Sequence, residues 1–163
     1  MEAIVRTLDQ QIEVHRILLE LSEHKRKAIV GNEVERLMQL TQKEVKLIRL
    51  VDQFESERAE TVQAYMRSRN MYVTGAITIN TLSKIAVKLE EKQALSERRS
   101  ELLRLIEELK QANELNRQLI QQSLAFIDFS IDVIAGPPEQ DAVYHHPQHD
   151  QQTYQRSYFD RKA

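Results

Sequence analysis

From Thr78 to Ile134, stepping alternately three and four residues from Leu82 meets Leu82, Ile85, Leu89, Lys92, Ser96, Arg99, Leu103, Ile106, Lys110, Asn113, Arg117, Ile120, Leu124, Ile127, Ile131 and Ile134. Such a seam predicts an α-helix that lies against other helices. No Pro or Gly interrupts it, so the pattern predicts one helix roughly 80 Å long. A second stripe, Leu95, Leu102, Leu105, Leu109, Ala112, Leu119 and Phe126, runs beside the first, which gives this helix neighbours on two sides.

Upstream, Ile4, Leu8, Ile12, His15 and Leu19, widened by Val5, Val14, Leu18 and Leu21, predict an amphipathic helix that ends near Ala28 to Val30. Lys25, Arg26 and Lys27 suit the negative end of its dipole. Gly31 is the expected left-handed residue, and Asn32 with Glu35 is the expected capping box of a second helix. That helix carries Val34, Leu37, Met38, Leu40, Val45, Leu47, Ile48, Leu50, Val51 and Phe54 in its first half, the richest apolar segment of the chain, and continues to about Tyr65. The pattern dissolves from Met66 to Ile77, and Thr78 or Asn80 is placed to cap the long helix. The simplest packing sets the first two helices antiparallel with the third alongside both.

Beyond Asn116 the long helix becomes apolar almost all round, through Leu119, Ile120, Leu124, Phe126, Ile127, Phe129, Ile131, Val133 and Ile134, relieved by Asp128 and Asp132. Gly136, Pro137 and Pro138 then stop it. The remainder holds one Val, no Leu or Ile, and many Gln, Asp and His, the composition of a disordered tail. The expected fold is therefore all-α: an antiparallel helical bundle or coiled coil of three main helices, with one very long C-terminal helix and a disordered tail. Residues 1–135 form the helical domain and residues 136–163 the tail.

Composition narrows the function. The 23 Lys and Arg nearly balance 25 Asp and Glu, for a net charge of −2, so there is no basic excess to hold a phosphate backbone and nucleic acid is not an expected partner. With no Cys there is neither disulfide nor thiolate metal site, which fits a reducing compartment. No apolar run approaches a membrane span and no signal-peptide pattern opens the chain, so a cytoplasmic location without membrane insertion is expected.

No catalytic constellation emerges. There is no phosphate-binding glycine loop, no G-x-S-x-G and no Cys nucleophile, so neither enzymatic activity nor a cofactor is expected. His15 and His24 lack a Glu three positions earlier, which removes the di-iron bundle pattern. His145, His146 and His149 lie close together, but without neighbouring carboxylates they read as part of a polar tail and not as a metal site. The informative feature is the apolar end of the long helix. It is either bundle core or a groove for the apolar face of a partner helix, with Asp128 and Asp132 at the rim.

Leu18, Leu19, Leu21 and Lys27 before Gly31-Asn32, then Glu44-x-x-Leu47, Glu57-Arg58, Leu102 to Leu109, and Asn113, Asn116, Leu119-Ile120, Ser123-Leu124 and Phe126 before a break and a Tyr, together resemble the flagellar export chaperone FlgN family. The resemblance covers about residues 1 to 144. It implies a cytoplasmic chaperone of the flagellar type III export system. Such a chaperone binds the C-terminal helical ends of the hook-filament junction proteins FlgK and FlgL, prevents their premature assembly and delivers them to the export gate, including FlhA. Carried over by position, client binding falls on Asn113, Asn116, Leu119, Ile120, Ser123, Leu124, Phe126, Ile127, Ile131 and Ile134, and gate docking on Tyr144. The His cluster and Gln-rich tail depart from the family pattern. The alternative is a structural coiled-coil protein that self-associates through the same seam, against which the polar seam residues Lys92, Ser96, Arg99, Lys110, Asn113 and Arg117 weigh.

Overall fold

The computed structural model describes residues 1–71, 75 and 77–136. Tyr144 and the histidine cluster lie outside the described residues. All regular structure among the described residues is helical: α1 (Glu2–Val30), α2 (Val34–Ser68), α3 (Ile79–Ile85) and α4 (Leu89–Ala135). The expected all-α architecture with one very long C-terminal helix is what forms. The chain divides into two units, Met1–Ile127 and Asp128–Ala163.

In the first unit α1 is the central element. It contributes eleven buried residues, against three each from α2 and α4. Gln11 donates to Glu55 and Lys25 pairs with Glu44, both at 2.8 Å or less. These pairs run in opposite directions along the chain, so α1 and α2 are antiparallel. On its other side Asp9 pairs with Arg98, Arg16 with Glu101 and Ser22 with Asn116, so α4 runs parallel to α1.

The hairpin between α1 and α2 closes differently from the sequence expectation. Gly31 keeps a right-handed φ of −80°, and Asn32 takes the left-handed position at φ 53°. The amide of Glu33 donates to the carbonyl of Ala28 and that of Asn32 to the carbonyl of Ile29, the paired bonds of a Schellman cap. The expected capping box does not form, because the N-cap of α2 is Glu33, without a side-chain bond. The end of α2 repeats the solution: Asn70 has φ 56°, and the amide of Met71 reaches the carbonyl of Met66. Asn accepts this conformation because its short polar side chain tolerates it better than other non-glycine residues do. Thr78 is a cap, accepting from the amide of Thr81, but of the short α3 and not of the long helix as expected.

The single helix expected from Thr78 to Ile134 is broken after Ala86, whose ψ of 131° is extended. No Gly or Pro marks the break. Its cause is burial: Leu82 and Leu95 are both fully buried in one cluster with Ile4, Leu8, Val62 and Met66. On an unbroken helix two residues thirteen positions apart point about 140° away from each other. Breaking the helix lets α3 fold over the end of the α1–α2 pair and bring Leu82 back to the side that Leu95 occupies.

The seam that faces α1 is also not the one the apolar pattern puts first. The inward seam of α4 runs through Leu95, Arg98, Leu102, Leu105, Leu109, Ala112, Asn116, Leu119 and Ser123, all buried or half-buried and alternating by three and four residues; Glu91, Lys92, Ala94, Arg99, Glu101, Glu108 and Ser130 are half-buried as well. The seam is the second stripe of the sequence pattern as far as Leu119, with Arg98, Asn116 and Ser123 added; Phe126, the last member of that stripe, is 70% exposed. Along the first stripe, Leu89, Leu103, Ile106, Ile120, Leu124 and Ile127 are exposed. The first half of α2, the richest apolar segment of the chain, buries only Leu40 fully, while Val34, Met38, Val45, Ile48 and Leu50 face outward. A second, smaller cluster joins Leu21 and Ala28 of α1 to Leu40 of α2, with Leu37 and Leu47 packed against it.

Of the second unit, the described residues 128–136 complete α4 and end at Gly136, whose φ of 71° lets the backbone leave the helix. Taken by itself, this segment exposes Phe129, Ile131, Val133 and Ile134.

Candidate functional site

At the hairpin end of the first unit, an apolar groove separates the α1–α2 turn from α4. One wall is Ala28, Ile29, Asn32, Glu33, Val34 and Leu37, and the other is Ile120, Ser123, Leu124 and Ile127. A second depression lies on the neighbouring face, lined by Ile29, Val30, Asn32, Gln122, Ser123, Phe126 and Ile127. The two share Ile29, Asn32, Ser123 and Ile127, so the edge of α4 between them is a ridge with an apolar hollow on each side.

The local sequence explains why the groove stays open. Val34 and Leu37 lie in the first turn of α2, directly after the Schellman cap, and line the groove together with Ile29. Across from them α4 presents Ser123 at the inward seam position, a side chain too short to fill the space that a Leu would occupy there. Leu124 is 55% exposed and Ile127 43%, so both retain apolar area that a partner would remove from water.

The residues carried over from the family pattern separate into distinct roles. Asn116 is buried and donates to the backbone carbonyl and the hydroxyl of Ser22, at 2.9 and 3.0 Å. Asn113 accepts from the same hydroxyl at 3.2 Å. Both therefore tie α4 to α1, and Asn116 presents no free surface to a partner. Leu119 is half-buried in the same seam. Ile120, Ser123, Leu124, Phe126 and Ile127 line the hollows. Ile131 and Ile134 lie beyond Ile127, exposed on the last turns of α4.

Sequence reasoning placed this site on the long helix and missed the opposite wall: Ala28, Ile29, Val34 and Leu37. The signal available was the pair Ile29-Val30, apolar beside a polar turn, at the point where the next helix restarts with Val34.

Electrostatics at the groove are mild. Glu33 on its rim pairs with Arg36 at 2.8 Å. Before the groove on α4, the exposed Glu114 is held at a pKa of about 2 by the hydrogen bond from Arg117, with a second from Gln118. Among the described residues no group of three His, Cys, Asp or Glu is placed to hold a metal ion, and no helix is long and apolar enough to cross a membrane. The surface that the groove offers is apolar contact.

Comparison with known proteins identifies a family. The family model described as FlgN protein matches residues 1–152. The Bacillus subtilis (strain 168) protein YvyG, described as uncharacterized, is 32% identical over 145 residues, covering 88% of this chain and 85% of YvyG. No solved structure matches the chain.

Proposed function

The chain belongs to the FlgN family of flagellar export chaperones, and from that premise we propose that its groove holds the C-terminal helical ends of hook-filament junction proteins of the FlgK and FlgL type. The observation that carries this reading is the open apolar groove at the hairpin end, where Ile120, Leu124 and Ile127 face Ile29, Val34 and Leu37 across an unfilled space. An amphipathic client helix lays its apolar stripe into such a groove and leaves its polar face in water. Occupied in this way, the client's own assembly surface is covered in the cytoplasm and premature assembly is blocked. Residues 1–135 form the holding body, and residues 136–163 carry the contact with the export gate, of the FlhA type, with Tyr144 its anchor.

The test is calorimetry with junction-protein C-terminal fragments. Leu124→Asp combined with Ile127→Asp puts two charges where the client's apolar face must sit, each with an uncompensated desolvation cost. Affinity falls by more than tenfold while the helical signal is kept, because both side chains are exposed in the free protein. Unchanged affinity removes the groove from the client site. In the same assay Tyr144→Ala leaves client affinity intact and weakens binding of the complex to the soluble part of the gate.

A further inference from the structure

The inward seam of α4 carries two short polar residues near its end, and only one of them is accounted for by the packing. Asn116 reaches Ser22 of α1 across a separation of 94 residues and is held by two hydrogen bonds. The same offset along the parallel pair sets Ser123 beside Ile29, and these two residues line both hollows. Here α1 offers no polar partner of the kind that Ser22 provides. Ser123 shares its hollow with Ala28 and Ile29 of α1 and with Val34 and Leu37 of α2, all apolar.

The volume left open there is about 160 Å³. An apolar void of roughly 150 Å³ stays dry and accepts a benzene-sized group, so the hollow matches one aromatic ring or one branched side chain, the size of Phe or Leu. A close-packed core fills such a seam position from its own helix, as α4 does at Leu95, Leu105 and Leu109. At Ser123 the filling has to come from outside the seam.

We infer that Ser123 is a specificity-determining residue of the groove: it forms the hole into which a client helix inserts one large apolar side chain, of Leu or Phe size. This role, which rests on the groove being the client site, names the feature of a client that the site selects. The exposed Leu124 and Ile127 offer apolar contact to any amphipathic helix. A hole bounded by three helices is stricter, because a small side chain leaves its walls without partner atoms and an oversized one forces them apart.

Calorimetry of the full chain with the FlgK- and FlgL-type C-terminal fragments, each also carrying single alanine substitutions along its apolar stripe, tests this. Ser123→Leu fills the hole from within and weakens the unsubstituted fragments more than tenfold, with the urea midpoint of the free protein kept or raised. Ser123→Ala, close to Ser in size but without the hydroxyl, binds as the wild type does. In each fragment one alanine substitution costs more than tenfold against the wild type, and that same substitution recovers affinity on Ser123→Leu, because the large side chain has moved from client to chaperone. Should Ser123→Leu lower the urea midpoint, Ser123→Val fills part of the hole and the recovery test is read on it. Wild-type affinity in Ser123→Leu, alongside lost affinity in Leu124→Asp with Ile127→Asp, overturns the role of Ser123 and keeps the groove. Ser123→Ala as weak as Ser123→Leu overturns it in favour of a hydrogen bond from the hydroxyl, and so does a loss on Ser123→Leu that no alanine substitution recovers, which leaves no hole to be filled. Fragments that bind equally to the wild type and to the double Asp variant, or to neither, overturn the groove as the client site and the role of Ser123 with it.

Discussion

The two ends of the helical bundle differ in how many elements converge on them. At one end Ile4, Leu8, Val62, Met66, Leu82 and Leu95 come from four helices and are all 2% exposed or less. At the hairpin end the buried cluster is Leu21, Ala28 and Leu40, drawn from two helices, while α4 passes with Ile120, Leu124 and Ile127 uncovered. The difference lies in α3. Seven residues folded over the first end complete its core, and among the described residues no counterpart completes the second. A bundle end lacking its fourth wall is a place where another helix fits, and its exposure is tolerated because stability resides at the other end.

The largest effect should separate the two ends directly. Leu95→Ala removes a fully buried side chain from the four-helix cluster and is expected to cost about 2–5 kcal/mol, seen as a clear fall in the midpoint of urea unfolding. Leu124→Ala on the same helix should change stability by less than about 0.5 kcal/mol. Equal losses from the two would mean that the hairpin end is closed in solution, and the contrast between the ends would collapse.

Of intermediate size is the polar tie between them. Asn116→Ala deletes both bonds to Ser22 and leaves a carbonyl buried without that donor, at an expected cost of about 1–3 kcal/mol. Because Asn116 sits one turn before Ile120, hydrogen exchange should rise over the end of α4 before it rises near Leu95. Uniform loss of protection would show instead that the helix opens as one unit.

The smallest effect concerns pH. Glu55 is held below the ordinary carboxylate range, first by the hydrogen bond from Arg58 and then by that from Gln11. A depressed folded-state pKa stabilises the fold fully above the unfolded value, about 4.3, and loses that contribution as the pH falls through the folded one. The thermal midpoint should therefore decline on acidification below about pH 5, and Glu55→Gln should make that decline shallower. A slope identical to the wild type would mean that the Gln11–Glu55 contact between α1 and α2 contributes nothing.

Helix content, the hairpin turn and the apolar end of α4 were legible in the sequence, because local periodicity and the residues Gly31-Asn32 and Gly136-Pro137 announce them. The break at Ala86 was not, since Ala, Val and Lys carry no local signal against a helix; it exists because Leu82 and Leu95 must share one side. The inward seam of α4 was concealed by Asn116 and Ser123, polar residues at core positions. Their place makes sense only once Ser22 of α1 is opposite, a residue whose own burial depends on the packing.

What the amino-acid order determined by itself is that this protein is a set of amphipathic helices with more apolar surface than three of them can hide. Each helix offered two candidate faces, as α4 does with its seams at Leu95–Leu102–Leu109 and Leu103–Ile106–Ile120. Periodicity ranks such faces by hydrophobicity alone, whereas burial goes to the face whose partners complete a close-packed layer and satisfy its polar members. Tertiary structure therefore decided which stripe became core and left Leu124 and Ile127 outside it.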